Sequence, residues 1–411
     1  MTDLLWLLLP VAAGAGWFAG RRSGERKPEA YWDYATHFHR GLSDLFNDRD
    51  AIDEDVFDTL GSHVQDGADD MNRPSSDVAA RDTADTHLAL GKLFRRRGDV
   101  ERAILIHEAL IERPGLDEST RIDARYELAR DFESAGLLDR SEAVFRKLVD
   151  RGERVHDAYT SLLELMESQH DWSRATELAT EISGSTAIAT DENLANNVRL
   201  RLAHYACESS AEARAAGYAE EADTLLVAAL GHDSRSARAN LMSGERALDS
   251  GRAADALQHY DMVSEVRPDL MPEIIDPQFR ALAALGDQER TRAFIDDLSG
   301  RRNAYSVIRR TREEIASREG AEVANRFFKD QIIKRPSLRA LRDWAKDQLD
   351  SPRTKERDKV ATVVAMLDGV IEDKPAYQCG HCGFRGNVLH WRCPSCGTWD
   401  SVSTIIGAEG E

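Results

Sequence analysis

Cysteine is scarce in this chain: only five occur in 411 residues, and four of them lie between Cys379 and Cys396. A secreted domain held by disulfides spreads an even number of cysteines through a short, loop-rich chain, so that class is excluded. The fifth cysteine, Cys207, lies in an alanine-rich stretch and is predicted to be a small core residue. At about 100 to 200 residues per domain, the length predicts two or three folded units.

Basic residues are outnumbered, because 54 Lys and Arg stand against 73 Asp and Glu and leave a net charge of −19. A protein that binds duplex nucleic acid through phosphate contacts is therefore not expected unless its basic residues are segregated on one face. Hydrophobic residues at 42%, charged residues at 31% and 11 prolines exclude a wholly disordered or many-spanning membrane chain.

Motifs of common enzyme classes are missing. The sequence has no GxxxxGK, GxSxG or GxGxxG element, and the segment from His107 to Ile111 lacks the second histidine of a metalloprotease helix. The sequence predicts no catalytic residue and a protein that is not an enzyme.

A single long apolar run, Leu4 to Gly20, carries no charge and is long enough to span a bilayer as one helix. A cleaved signal peptide would need basic residues before this run, where the only charged side chain is Asp3. We predict a transmembrane anchor over residues 1–20 and a basic juxtamembrane linker over residues 21–30. The basic residues that follow the run keep the rest of the chain in the cytoplasm, with the amino terminus outside. They are Arg21, Arg22, Arg26 and Lys27.

Small residues recur every four positions in the anchor, at Ala12, Gly16 and Gly20. This spacing allows close packing against a second helix, so a homodimer is one interpretation. The alternative, small residues that face lipid without a partner, stays open.

Residues 31–336 are rich in Ala, Leu, Glu and Arg and show a period near 34 residues, which is typical of tetratricopeptide repeats. In the clearest copy, Gly91 and Ala103 are predicted to be small because the two helices of the repeat touch there, and Gly98 to open the turn. Gly244 and Tyr260 belong to a second clear copy. We predict an all-α superhelix of about eight helix pairs, the first near Gly41, followed by a helical connector over residues 337–375. The polar segment from Gly61 to Asp85 is predicted to be a flexible insertion.

The first helices of stacked repeats line a concave surface that usually binds proteins. Four basic residues fall on this inner face: Lys92, Arg95, Arg96 and Arg130. One interpretation is a site for an acidic segment of a partner, and the other is a set of ordinary solvated side chains.

The last segment, residues 376–411, contains two CxxC pairs formed by Cys379, Cys382, Cys393 and Cys396. Each pair is followed by a glycine, as in metal-binding knuckles, and four thiolates complete a tetrahedral site for one zinc or iron ion. Two disulfides or a redox dithiol are less consistent with the cytoplasm and with two matched knuckles. His381 is predicted to be exposed and not a ligand. The predicted core around the metal consists of Tyr377, Phe384, Trp391 and Trp399.

The order of features resembles the lipopolysaccharide assembly protein B family of Gram-negative bacteria. The resemblance rests on an anchor ending in GRRS, the repeat LFRRRGDVERAILIHEALIERPGL, and the motifs CGHCGF and WRCPSCGTW. It implies a rubredoxin-type, zinc-ribbon module with the four cysteines as metal ligands, packed against the repeats. It also implies an inner-membrane adaptor with a periplasmic amino terminus, which works with the protease FtsH to promote degradation of the deacetylase LpxC. A second inner-membrane protein that senses lipopolysaccharide is expected to antagonise it.

Two other functions stay open on the residues alone. One is a membrane scaffold whose cysteine site holds iron for electron transfer or senses redox state or metal. The other is a tetratricopeptide co-chaperone that clamps the acidic carboxyl terminus of a heat-shock chaperone.

Overall fold

The structure, a computed structural model, describes residues 77–185, 191–301, 303–350, 356–372 and 374–408. These residues divide into two compact units, one ending at Val144 and one beginning at Phe145. Over the described residues, no helix combines the length and the apolar character that a bilayer crossing requires. The predicted anchor with Ala12, Gly16 and Gly20, the basic linker and the predicted repeat near Gly41 lie outside the described residues.

The first unit consists of helices α1 (Asp77–Arg97), α2 (Val100–Glu112) and α3 (Glu118–Ser134), and α4 (Leu138–Asp150) continues across the division. Its core is built from small, aliphatic and aromatic side chains of α1 to α3, including Ala84, Phe94 and Leu110. The described part of the segment predicted as a flexible insertion is helical from Asp77, so this prediction was wrong there. Buried Ala84 explains the difference, because it packs with α2 and α3 and ties the polar stretch to the core.

The second unit consists of consecutive helices that pair as further hairpins. They are α5 (Val155–Ser168), α6 (Trp172–Ser183), α7 (Glu192–Ala215), α8 (Ala219–His232), α9 (Ala237–Asp249), α10 (Ala253–Val266), α11 (Met271–Leu285), α12 (Gln288–Gly300), α13 (Tyr305–Glu319), α14 (Ala321–Lys334), α15 (Leu338–Asp350) and α16 (Arg357–Glu372), with a 3₁₀ turn at Pro268–Leu270. The predicted connector thus folds as a further hairpin, α15 and α16, in which Lys346 pairs with Asp368 at 3.2 Å.

Local sequence explains where these helices begin. The side chain of Asp99 accepts a hydrogen bond from the backbone N–H of Arg102 and caps α2, and Asp171 caps α6 in the same way through Arg174. Gly98, between α1 and α2, has a φ of 86°, a conformation that residues with a Cβ rarely adopt. The predicted turn at Gly98 is confirmed.

Close contact between paired helices is confirmed at the two clearest repeats. A Cβ added to Gly91 would lie 2.4 Å from Nε2 of the buried His107, and one added to Gly244 would lie 2.6 Å from Cε1 of the buried Tyr260. Both positions must therefore lack a side chain for the hairpin to close. Cys207 is fully buried in α7 beside Leu226 and Ala239, as predicted for a core residue.

The last described segment forms a small antiparallel sheet in the order β2-β1-β3, with β1 (Tyr377–Cys379), β2 (Arg385–Gly386) and β3 (Val402–Thr404). Tyr377 lies opposite Gly386 on one side and opposite Thr404 on the other. The described chain is thus mostly helical and tetratricopeptide-like, with a ribbon module at its carboxyl end.

Candidate metal centre and its contacts with the helical repeats

The four clustered cysteines meet at one point although two loops carry them. Their Sγ atoms all lie within 4.8 Å of one another. Cys379 and Cys396 are 3.8 Å apart at sulfur, and Cys382 and Cys393 are 3.7 Å apart. Four sulfurs placed tetrahedrally about 2.3 Å from one ion are about 3.8 Å from each other, so the spacing fits a bound metal. A disulfide would need about 2.05 Å.

Two matching turns build the cluster. Gly383 donates its backbone N–H to the carbonyl of Cys379 at 3.1 Å, and Gly397 donates to the carbonyl of Cys393 at 2.9 Å. Both glycines have positive φ, at 78° and 69°. Each CxxC pair therefore folds as a knuckle that turns its two sulfurs towards the same point.

Hydrogen bonds favour the thiolate form of two cysteines. Desolvation opposes ionisation of Cys396, but the hydroxyl and backbone N–H of Thr398 outweigh it and lower the pKa to about 5. At Cys379, desolvation is outweighed by Ser401 and by backbone N–H groups, which lower the pKa to about 7. Desolvation raises the pKa of Cys393 to about 11. Because metals bind thiolates, the lowered pKa values of Cys379 and Cys396 favour the form of these side chains that could hold a metal ion.

His381 is exposed, and its backbone N–H lies 3.4 Å from Cys379 Sγ. Its side chain hydrogen-bonds Cys396 and is one of the groups that lower the pKa of that thiol. The prediction that its side chain is exposed is confirmed. The four cysteines fill the tetrahedral set without it.

Trp399, two residues after Gly397 of the second knuckle, points out of the module and packs between helices of the repeats. Its ring stacks on His204 of α7 with centroids 4.4 Å apart, and it contacts Trp172 of α6 and Tyr205 edge-on at 6.2 Å each. Only 7% of Trp399 is exposed. The repeats thus provide an aromatic pocket for one side chain of the module.

At the bottom of this pocket lies Glu167, a fully buried carboxylate near the end of α5. Its Oε1 accepts hydrogen bonds from Trp399 Nε1 at 3.0 Å, Tyr205 at 2.5 Å and Arg201 at 2.5 Å. Its Oε2 accepts from Arg392 of the module at 3.1 Å. Two guanidinium groups and two neutral donors compensate the buried charge, and half of these four come from the module.

A second set of contacts flanks the first. Asp400 has a φ of 52° and accepts from His204 Nε2 at 3.0 Å, while Arg267 donates to the carbonyls of Asp400 and Val402 at 3.1 and 2.9 Å. Burial opposes ionisation of Asp400, but His204, Arg267 and Arg238 outweigh it and lower the pKa. The carboxylate therefore stays charged in the contact with α7.

Known proteins are similar to this chain over its whole length. Residues 377–403 match the family model described as a rubredoxin metal binding domain, of the zinc-ribbon type. Lipopolysaccharide assembly protein B of Escherichia coli strain K12 is 30% identical over 415 residues, which covers 100% of both chains. The chain belongs to the lipopolysaccharide assembly protein B family. The Haemophilus influenzae protein of the same name is 27% identical over 416 residues, with 100% of each chain covered.

Among solved structures, a thermophilic tetratricopeptide-repeat protein from Thermus thermophilus is 20% identical. The match covers 49% of this chain and 98% of that one, with a TM-score of 0.22.

The aromatic core predicted around the metal was partly wrong for this member of the family. Tyr377 and Phe384 do pack beside Cys379, Cys393 and Val402. Trp399 and Trp391 instead face the repeats, where Trp391 packs on the core cluster formed by α9 to α14. The physical reason is size, because the small sheet cannot enclose two indoles and the helical hairpins can.

The four basic residues that the sequence places on the inner face, either as a partner site or as ordinary solvated side chains, differ in their surroundings. Arg95 is 17% exposed and bonds Glu127 at 2.6 Å and Asp131 at 2.7 Å, so it has internal partners. Lys92 and Arg130 are more exposed, at 38% and 39%, and form pairs with Glu127 and Glu133. Arg96 is exposed. The sequence analysis did not identify Glu127 and Asp131 as partners of Arg95. The available signal was that these two acidic residues lie about one repeat length after the basic Arg95.

Proposed function

We propose that this chain acts in lipopolysaccharide assembly as a membrane-tethered regulatory adaptor without chemistry of its own. The observation that supports it most is the full-length relationship to lipopolysaccharide assembly protein B in two genera. Stacked helical hairpins are suited to holding other proteins, since they present extended surfaces.

In this proposal the adaptor brings the deacetylase LpxC to the membrane protease FtsH and so limits lipid A synthesis. The anchor, residues 1–20, holds the chain in the inner membrane, where tethering raises the effective concentration of client and protease. An inner-membrane protein that senses lipopolysaccharide reverses the effect. Lys92, Arg96 and Arg130 contact the client, and Arg95 supports them from within the repeat.

The cysteine cluster holds one zinc or iron ion in this proposal, with Cys379, Cys382, Cys393 and Cys396 as the ligands. The ion has a structural role, because folding of the two knuckles places Trp399 and Arg392 against Glu167. Metal analysis of the purified chain together with a visible spectrum tests this. Colourless protein with one zinc supports the structural role, whereas a reducible iron spectrum supports electron transfer instead.

The adaptor role is tested by the lifetime of the deacetylase in cells depleted of the native chain. Supplying the intact chain should restore rapid turnover of LpxC, and supplying a chain without residues 1–20 should not. A protease-deficient strain is the control, in which the intact chain should have no effect. Equal turnover with and without the chain would reject the proposal.

A further inference from the structure

A cavity of about 320 Å³ lies in the second unit, where α13, the residues between α14 and α15, and the segment after β3 meet. The backbone N–H of Leu338, at the start of α15, donates to the carbonyl of Ala408 at 2.9 Å and holds this segment beside the helix. Sites for small molecules have volumes of about 300–1,000 Å³, so the cavity is large enough for a small ligand.

Arg335 is the lining residue whose polar groups are not satisfied. Its backbone N–H donates to the carbonyl of Gln331 at 2.9 Å and ends α14. Its Nη1 is buried and has no hydrogen-bond partner, and its guanidinium forms no ion pair with any residue that the structure describes. A buried charged donor is normally paired, because desolvation without a partner is costly. The guanidinium therefore has the capacity to bind an anion.

The other charges around the cavity limit the charge of that anion. Lys334, the second basic residue of the lining, already pairs with Asp330 at 2.5 Å. The described residues that line the cavity include no acidic side chain. One positive charge is thus uncompensated, which matches a single carboxylate, whose two oxygens fit the fork of a guanidinium.

The remaining lining is largely apolar. Tyr305 and Ile308 of α13 are 5% and 4% exposed, and Ile406 faces them as part of the same cavity. The hydroxyl of Tyr305 donates to Asp343, so the tyrosine adds ring surface to the wall and no free donor. A ligand here gains from an apolar group beside its carboxylate.

We propose that this cavity binds a small amphiphilic monocarboxylate, with its carboxylate on Arg335 and a short aliphatic group against Ile308 and Ile406. This chemistry occurs in free short-chain acids and at the carboxyl end of a polypeptide whose last residue is aliphatic. The site lies in the second unit and shares no residue with the client contacts proposed above, so the two proposals stand or fall separately.

Calorimetric titration of the full-length chain in detergent tests the ligand class. Isocaproate should bind, and isocaproamide, which has the same shape without the charge, should bind at least about tenfold more weakly. Acetate lacks the aliphatic group and should also bind at least about tenfold more weakly than isocaproate. Acetyl-alanyl-leucine is titrated in parallel, and the tighter of the two acids identifies the source of the carboxylate.

Equal binding of isocaproate and isocaproamide, or no binding of either acid, would overturn the proposal. Inorganic phosphate that bound more tightly than both acids would overturn the monocarboxylate.

Three variants assign the binding to Arg335. Arg335→Ala should abolish the preference for the acid over the amide, and Arg335→Lys should keep part of it, because the charge remains but the planar fork is lost. The matched control is Arg326→Ala, which removes an exposed arginine from α14 and should bind as the intact chain does. Circular dichroism checks that each variant is folded at the temperature of the titration. An equal loss of preference in the control would contradict the assignment.

The last arm concerns this chain's own acidic residues. Glu409 and Glu411 follow Ala408 in the sequence. A chain without residues 409–411 should bind isocaproate as the full-length chain does. Binding that occurs only after their removal would assign Arg335 to a carboxylate of the same chain and overturn the proposal.

Discussion

Glu167 accepts the indole N–H of Trp399 at 3.0 Å, although 232 positions separate the two residues in the chain. The carboxylate is fully buried and is also bonded by Arg201 and Arg392. Glu167 thus accepts hydrogen bonds both from residues of the repeats and from residues of the cysteine module. A buried carboxylate outside the cysteine cluster therefore joins the module to the repeats through Trp399 and Arg392.

The first prediction concerns this carboxylate. Glu167→Gln leaves Arg201 and Arg392 without their buried counter-ion and should lower the free energy of unfolding by about 3–5 kcal/mol. Glu164→Gln, one helical turn earlier, is the control. It removes a contact 3.7 Å from the same Arg201, but Glu164 is 40% exposed. The control should therefore cost no more than about 1 kcal/mol.

Urea denaturation followed by circular dichroism measures both variants. Equal effects of the two glutamines would show that burial of Glu167 is not what stabilises the contact.

The second prediction concerns the helix contact at Gly244. Gly244→Ala places a methyl group 2.6 Å from the fully buried ring of Tyr260 and should destabilise the chain by about 1–3 kcal/mol. Gly231→Ala, on α8, meets nothing within 4 Å and should stabilise by about 0.5–1 kcal/mol, as alanine does in a helix. Opposite shifts in melting temperature are expected, and a stabilising Gly244→Ala would contradict the close approach.

The repeat contacts and the cysteine site could be predicted from the sequence because both depend on short spacings. Gly91 and His107 are 16 positions apart within one hairpin, and each CxxC pair forms a single turn. The contact of Glu167 with Trp399 could not be predicted, because a glutamate near a helix end is usually solvated. A weak signal did exist: Arg201 lies 34 positions after Glu167, so opposite charges occupy one register of consecutive repeats.

The third prediction concerns the different contributions of Arg95 and Arg96 to the stability of the chain. Arg95→Ala removes hydrogen bonds to Glu127 and to the fully buried Asp131, and should cost about 1.5–3 kcal/mol. Arg96→Ala removes an exposed side chain and should change stability by no more than about 0.5 kcal/mol. Arg96→Glu should nevertheless weaken capture of LpxC from membranes if this face binds the client. Loss of capture with Arg95→Ala alone would assign the client contact to folding of the repeat.

The last prediction concerns metal removal. A module as small as residues 376–411 depends on its metal for most of its folding free energy, so chelation should unfold β1, β2 and β3. Trp399 and Arg392 would then leave Glu167, which keeps Arg201 and Tyr205, and the hairpins from α9 to α12 should stay helical. Hydrogen exchange measures this: amides of Cys379 and Val402 should lose protection, while those of Tyr260 and Phe279 should keep it.

Cys393→Ser with Cys396→Ser should reproduce the effect, and His381→Ala should not, since His381 is exposed and adds no ligand. Protection of β1 and β3 that survives chelation would mean that contacts with the repeats alone fold the module.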